Sequence, residues 1–258
     1  MLTIYHWEPN ANSGKPILAA FEKGVEFESR YVDLLGFEQH SPEYLGINPN
    51  GTIPGMVHDG TLVSESTAMM EYIDEAFEGP PLRPRDPFER WRMRWWCRFF
   101  DQFVGPSVSM IGWSFFVGPA VRSRDPTELR ARIERIPLAE RRIAWSKAIY
   151  GTFSADELAE SRRRISFGVA HLEASLSERP WVAGQSYSIA DMVGFNMLAG
   201  LPSMSAEVAN DGKTPHLMEW LRTINERPAA AKARGLGRTQ MMRRYAHLAR
   251  PGNRSEGV

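Results

Sequence analysis

One stretch of the sequence, residues 48–67, combines two features that suit a small anionic peptide. Ile53 precedes Pro54, and a β-branched residue before a proline is held extended, which exposes its backbone N–H and C=O groups. Further along, Glu65-Ser66 leads into an apolar pattern of helical period, and the free N–H groups of a helix start attract a carboxylate. The same pattern is equally consistent with an ordinary hairpin followed by a capped helix.

The elements that must position these residues follow a regular order. An opening strand is followed by a helix for which Asn12 or Ser13 is the natural N-cap and which is expected to end at Gly24, and then by a second strand. Such a βαβ unit predicts a parallel pair of strands. A hairpin that turns at Asp59-Gly60 and a third helix complete the order. The sequence therefore predicts a thioredoxin-like βαβ-ββα domain with a mixed sheet over residues 1–79.

The rest of the chain is predicted to be helical. Residues 80–87 are rich in proline and indicate a linker, residues 88–245 carry helical patterns, and residues 246–258 are predicted to be a disordered tail. The charged segment 122–164 is expected to form two short helices and the start of a longer one, with its arginines on a solvated face. The fold class is thus an α/β thioredoxin-like domain followed by an all-α domain.

Aromatic residues are concentrated between residues 91 and 116, in a helical segment that Pro106 is expected to interrupt. On helices such a set usually packs a core or a subunit interface. The alternative is that its later part lines a pocket for an aromatic substrate. The candidate contacts are then Ser107, Ile111, Trp113, Phe115 and Phe116.

The composition argues against several classes of function. Lysine plus arginine and aspartate plus glutamate both number 31, and so neutral a chain is not expected to bind nucleic acid. Cys97 is the single cysteine, which excludes an internal disulfide and favours a reducing, cytoplasmic setting. The six histidines are scattered, so no metal site is predicted. The N-terminus does not resemble a signal peptide, and no apolar run is expected to reach the length of a membrane span.

The pairs Ile53-Pro54 and Glu65-Ser66 together resemble the glutathione-binding half of the glutathione transferase superfamily. The resemblance extends over nearly the whole chain and implies that glutathione is the co-substrate. In the family, the backbone of the residue at Ile53 pairs with the cysteine of glutathione, and the following proline is cis. The Glu65-Ser66 pair is implied to bind the γ-glutamyl end.

The same resemblance assigns further roles. Gln39 and His40 fall where the family contacts the glycyl end of glutathione, although His40 taken alone is more typical of a surface residue. Ser188-x-x-Asp191 matches the family's N-capping motif in a central helix and is interpreted as structural. The family also implies a homodimer.

A thiol nucleophile needs help at neutral pH, because a thiol of pKa near 8.5 is only about 3% ionised at pH 7. Ser13 stands where the serine-type and cysteine-type members of the family place their catalytic residue, and hydrogen bonds from Ser13 and Asn12 could stabilise the thiolate. Two alternatives stay open: Ser13 is merely an N-cap, or Tyr5 is catalytic as in tyrosine-type members. Tyr5 is disfavoured because it lies inside the strand pattern, and Cys97 is expected in the core.

Within the superfamily, the sequence is similar to the bacterial glutathione-dependent β-etherases of lignin degradation, notably over residues 11–13, 37–41 and 109–113. This resemblance implies that glutathione thiolate attacks the Cβ carbon of a β-O-4 aryl ether beside a ketone and releases a phenol such as guaiacol. The alternatives are a general detoxifying glutathione transferase and a non-catalytic ligand-binding protein of the same fold. A thioredoxin or glutaredoxin role is disfavoured because no cysteine lies near residue 13.

Overall fold

The first domain is built on a four-stranded sheet. The structure, a computed structural model, describes residues 1–240, 245, 247 and 248. The predicted tail, residues 246–258, therefore lies outside the described residues except for residues 247 and 248. The strands are β1 (Leu2–His6), β2 (Glu28–Tyr31), β3 (Gly55–His58) and β4 (Thr61–Val63), and the helices are α1 (Ala11–Lys23), α2 (Pro42–Ile47) and α3 (Ser66–Ala76).

The second domain is helical and begins at Pro87. Two short helices and a longer one cover the charged segment, as predicted. The helices are α4 (Pro87–Phe99), α5 (Gly105–Gly112), α6 (Gly118–Arg122), α7 (Pro126–Glu134), α8 (Ala139–Tyr150), α9 (Ala155–Glu178), α10 (Ile189–Leu198), α11 (Leu201–Met204), α12 (Pro215–Asn225) and α13 (Pro228–Arg234).

The sheet is mixed, with strand order β2-β1-β3-β4. β1 pairs with β2 in parallel, while β3 runs antiparallel to both β1 and β4. Ile4 of β1 lies opposite Met56 of β3, and both side chains are buried against α1 and α3. The predicted thioredoxin-like order is therefore confirmed.

Helix α1 begins earlier than predicted. Its N-cap is Asn10, which makes no side-chain capping bond, so the expectation that Asn12 or Ser13 caps the helix is wrong. The turn into the helix is made by Ala11, whose φ of 44° is left-handed, and this places Ser13 inside the first turn. The helix ends as predicted at Gly24, which adopts the left-handed conformation typical of a glycine C-cap.

Helical structure runs without a break from Pro87 to Arg122, although Pro106 was expected to interrupt it. Pro106 and Pro119 each follow a π-helical turn, and those turns are closed by bonds from Gly105 N–H to Phe100 O and from Gly118 N–H to Trp113 O. The wider turn accommodates a proline, which has no N–H to donate to the preceding turn, and it relieves the clash of the proline ring with that turn.

This continuous helix is long and apolar enough to cross a membrane by length and composition alone, which contradicts the expectation that no apolar run reaches that length. The core helix of a soluble protein passes the same test. Here Phe100, Val104 and Ile111 are buried in the main core with α9 and α10. That core accounts for the apolar residues on one side of the helix.

A second apolar cluster joins the two domains. Trp7 and Phe37 of the sheet domain pack with residues of α6, α7 and α8, including Val121, Ile133 and Trp145. The Trp145 ring lies 4.7 Å from the Phe37 ring between centroids. The charged segment is thus anchored on the sheet domain through its buried face.

Asp191 is a structural residue, as the capping motif predicts. Its carboxylate accepts hydrogen bonds from the Ser188 N–H and O–H, the Val182 N–H and the Trp220 indole N–H. Complete burial raises the pKa of Asp191 to about 6 in spite of these donors. Burial likewise raises the pKa of the Cys97 thiol, which fits a core position and not a nucleophile.

Replacing Ser154 by alanine should lower the free energy of unfolding by about 1 kcal/mol. The Ser154 hydroxyl accepts the Glu157 N–H at 3.1 Å, and the Glu157 carboxylate accepts the Ser154 N–H at 2.8 Å, which caps α9. Ser166→Ala, the same change on an exposed side chain in the middle of α9, is the control and should change stability by less than about 0.5 kcal/mol. Urea unfolding checks both, and equal losses in the two variants would contradict the capping role.

Candidate active site

A cleft of about 140 Å³ lies between the two domains. Its floor comes from the start of α1, one wall from the loop before β3 and the 3₁₀ turn at Glu38–His40, and the other wall from α5 and α8. The predicted site residues that line this cleft are Asn12, Ser13, Gln39, His40 and Ile53. Residues far apart in the sequence are thus brought to one place.

Ser13 is buried and keeps a hydrogen-bond donor available. Its Oγ accepts the backbone N–H of Trp7 at 3.3 Å, so the hydroxyl hydrogen is not used in that contact. Asn12 is exposed, and its Oδ1 accepts the Ser66 hydroxyl at 3.5 Å, which leaves its NH₂ group available. Both residues lie in the first turn of α1, where unpaired backbone N–H groups add positive potential. The arrangement can stabilise a thiolate.

The Ile53–Pro54 peptide bond is cis. The carbonyl before it, Thr52 O, accepts the Tyr44 hydroxyl at 2.7 Å and the Asn48 amide at 2.8 Å, which fixes the loop. Within the described part of the chain, no residue pairs with the backbone N–H or C=O of Ile53. Both groups are therefore available to a peptide.

Glu65 and Ser66 lie beside this cleft without lining it. Glu65 has a φ of 68°, a conformation that a non-glycine residue rarely adopts and that concentrates at functional sites. Ser66 is the first residue of α3, and its Oγ accepts the Lys15 ammonium at 3.3 Å. Its bond to Asn12 joins the start of α3 to the start of α1.

Gln39 and His40 are buried, with 2% and 4% of their surface exposed, so the expectation of a surface position for His40 does not hold. Gln39 Oε1 and His40 Nδ1 have no hydrogen-bond partner among the described residues. Burial and the nearby Arg141 lower the pKa of His40 to about 4, so its ring is uncharged at neutral pH. These buried polar atoms indicate that a ligand completes the cleft.

A second cavity of about 120 Å³ adjoins the first. Five lining residues are common to both cavities: Trp7, Asn10, Ala11, Ser109 and Trp113. The second cavity is otherwise lined mainly by apolar side chains such as Phe116 and Met197. Trp113 packs edge-on against Trp145 at 4.5 Å between ring centroids. An apolar chamber thus opens beside the start of α1.

The predicted substrate residues separate into two sets. Trp113 and Phe116 line the apolar chamber, whereas Ser107 and Ile111 are buried in the core and Phe115 is 57% exposed. The chamber face of the helix carries Ser109, Trp113 and Phe116, spaced four and three apart, and Ser107 and Ile111 lie on a different face. The helical spacing alone shows which of these residues share a face, but the position of the cleft must be known to tell which face lines it.

Several lining residues were not predicted from the sequence. Trp7, Asn10 and Ala11 border both cavities, and Arg141 and Trp145 reach the first from α8. The cluster Asn10-Ala11-Asn12 could have been suspected from its position before a helix, but Arg141 lies in a segment expected to be solvated. Tyr5, the alternative catalytic residue, lies in β1 with its ring 5.9 Å from Tyr44 and lines neither cavity.

Comparison with known proteins identifies the family of both domains. Residues 1–75 match the family described as glutathione S-transferase, N-terminal domain, and residues 105–228 match glutathione S-transferase, C-terminal domain. Protein LigF of Sphingobium sp. strain SYK-6 is 38% identical over 234 residues, which cover 88% of this chain and 91% of LigF. Glutathione S-transferase F10 of Arabidopsis thaliana is 28% identical over 89% of this chain and 94% of its own length.

The crystal structure of β-etherase LigF from the same Sphingobium strain superimposes with a TM-score of 0.87. The match has 37% sequence identity and covers 90% of this chain and 98% of LigF. Both domains and the order of their elements are therefore shared along the chain. The protein is a glutathione-dependent enzyme and belongs to the glutathione S-transferase superfamily.

Proposed function

We propose that the protein is a glutathione-dependent β-etherase that cleaves β-O-4 aryl ethers of lignin-derived α-keto aromatics. The observation that carries the proposal is the junction of the two cavities at the start of α1. There a sulfur held beside Ser13 would face an apolar, aromatic-lined chamber. The likeness to β-etherase LigF over nearly the whole chain supports the same choice of reaction.

The reaction is a substitution at carbon. Glutathione thiolate attacks Cβ, a C–S bond forms, and the Cβ–O bond breaks with its electron pair passing to the aryl oxygen. The phenolate then takes up a proton, so the products are a glutathione thioether of the ketone and a phenol such as guaiacol. The adjacent ketone activates Cβ, and no oxidant or reductant is needed.

The protein supplies thiolate stabilisation and alignment. Ser13 and Asn12 donate to the sulfur, while the backbone of Ile53 and the residues around Ser66 hold the peptide. Bringing two bound reactants together replaces an encounter in solution and can contribute several kcal/mol. The Trp7 indole N–H is buried, borders both cavities and has no acceptor within the described part of the chain, so it could donate to an oxygen of the ether substrate.

The test is release of guaiacol. Purified protein, glutathione and each enantiomer of a guaiacyl β-ether ketone are mixed, and guaiacol and the thioether are followed by chromatography. Equal amounts of both products from at least one enantiomer are expected, and the analogue with an alcohol in place of the ketone should be nearly inert because its Cβ is not activated. No release above heat-denatured protein from either enantiomer would overturn the proposal.

A second candidate is a general detoxifying glutathione transferase, which the similarity to the Arabidopsis relative favours. Turnover of a chloronitrobenzene together with no ether cleavage would support it. A non-catalytic ligand-binding role would instead be supported if alanine at both Asn12 and Ser13 left every measurable function unchanged.

We also propose a cytoplasmic homodimer. Trp91, Trp95 and Phe167 expose large apolar surfaces on neighbouring parts of α4 and α9, which suits contact with a second subunit. Light scattering coupled to size exclusion measures the mass, and a monomer at micromolar concentration would contradict this assembly.

A further inference from the structure

Arg141 occupies a position that the sequence did not suggest. It borders the cleft lined by Ser13, Gln39 and Ile53, although the arginines of this segment were expected to be merely solvated. It lies one helical turn before Trp145, and residues four apart share a helix face. Trp145 is buried against Phe37 and Trp113, so packing holds this face of α8 against the cleft.

Among the described residues that line this cleft, Arg141 alone carries a permanent charge. His40 is the other ionisable side chain there, and it is uncharged at neutral pH because burial and Arg141 lower its pKa to about 4. Arg141 is exposed at the edge of the cleft, so a carboxylate that meets it there forms a partly solvated ion pair. The guanidinium of arginine suits this role because its planar fork binds both oxygens of a carboxylate.

The direction of the bound peptide follows from the contacts. Ser66 contacts Asn12 and does not itself line the cleft, whereas Arg141 lines the cleft and its charge acts on His40. Glutathione carries a carboxylate and an ammonium group at its γ-glutamyl end and a lone carboxylate at its glycyl end. With the γ-glutamyl end at Ser66, the glycyl carboxylate falls on the side of Arg141.

We propose that Arg141 is the cation that pairs with the glycyl carboxylate of glutathione, so that the helical domain helps to bind the co-substrate. The unpartnered buried atoms Gln39 Oε1 and His40 Nδ1 support a peptide ligand in this cleft, because the amide oxygen can accept a peptide N–H and the imidazole nitrogen can donate to an oxygen. The inference rests on glutathione binding in the proposed function and does not depend on which electrophile reacts. The proposal also gives the α7–α8 segment a role, because this segment of the helical domain places the Arg141 guanidinium at the glutathione site of the sheet domain.

The test compares glutathione with its glycyl ethyl ester, which lacks the carboxylate charge. Isothermal titration measures the Kd of each peptide for the wild type and for Arg141→Gln, without any electrophile. The wild type should bind glutathione more tightly than the ester, and Arg141→Gln should weaken glutathione binding by up to about fivefold, as expected for an exposed ion pair. Binding of the ester should hardly change, and Arg141→Lys should restore part of the difference.

Arg142→Gln is the matched control, because Arg142 borders a separate surface with Ile143 and Tyr150. It should leave the Kd of both peptides unchanged. Equal weakening of both peptides by Arg141→Gln, or no weakening, would overturn the Arg141 assignment while leaving the proposed function intact. Failure of the wild type to bind either peptide would overturn both, whereas normal peptide binding without guaiacol release would remove only the etherase proposal.

Discussion

Ser13→Ala is expected to lower kcat/KM for glutathione about 10²- to 10³-fold, as loss of one well-placed donor to a developing anion does in other enzymes. The Ser13 hydroxyl accepts the Trp7 N–H and is therefore oriented with its hydrogen free for the sulfur. Since Asn10 and not Ser13 caps α1, the loss cannot be ascribed to a missing helix cap. Initial rates with the guaiacyl ketone, or with a chloronitrobenzene, measure the effect.

The pH dependence separates this role from a structural one. Without the Ser13 donor, the pKa of the bound thiol should rise towards its free value near 8.5, so the rate of the variant should recover as the pH is raised. A structural defect would lower the rate by the same factor at every pH. The variant also leaves the backbone N–H of Trp7 without its acceptor, which costs about 1–3 kcal/mol of stability. The assay is therefore run well below the melting temperature of the variant.

Asn12→Ala, assayed alongside, decides which residue contributes more. Asn12 is exposed and makes only a long contact to Ser66, so a loss smaller than that of Ser13→Ala is expected. Ser166→Ala on the exposed face of α9 is the unaffected control. An unchanged rate in Ser13→Ala would remove Ser13 from the catalytic machinery.

The residues that sequence reasoning located are those whose signals are local. The Ile53–Pro54 pair, the Glu65-Ser66 helix start and the glycine that ends α1 each depend on neighbours in the chain, and each appears in the structure as the pattern indicated. The choice of N-cap failed because Asn10, Asn12 and Ser13 are all good capping types. Only the left-handed turn at Ala11 selects among them.

The residues that sequence reasoning missed depend on docking between distant segments. Arg141 and Trp145 are about 100 residues from the loop they face, and a charged amphipathic helix indicates only that one side is solvated. The side of α5 that faces the cleft could not be predicted from the sequence either, because a helix that is hydrophobic on several faces does not show which partner packs on each face. Ser109 was therefore overlooked in favour of Ser107 and Ile111.

Asp101→Asn should lower the free energy of unfolding by about 3–5 kcal/mol, because it removes the partner of a buried charge. Lys15 is fully buried on α1 of the sheet domain, and its ammonium lies 2.5 Å from Asp101 Oδ1. Asp101 belongs to the helical domain, so this ion pair joins the two domains. The second carboxylate oxygen accepts the Thr67 hydroxyl at 2.7 Å. Asp211→Asn, the same change at an exposed carboxylate that pairs with Arg222, should cost less than about 1 kcal/mol, and urea unfolding compares the two.

Two further results would show that the loss comes from the Lys15 charge. Burial lowers the pKa of Lys15, so the folded state binds fewer protons than the unfolded state, and the stability of Asp101→Asn should rise as the pH approaches the ordinary lysine pKa of about 10.4. Adding Lys15→Met to Asp101→Asn should recover part of the loss, since no charge is then left unpaired. Because Lys15 also donates to Ser66, Asp101→Asn should weaken glutathione binding as well, which couples the domain contact to the peptide site. A loss of stability no larger than that of Asp211→Asn would show that water already compensates the Lys15 charge, and unchanged glutathione binding in Asp101→Asn would show that the coupling does not exist.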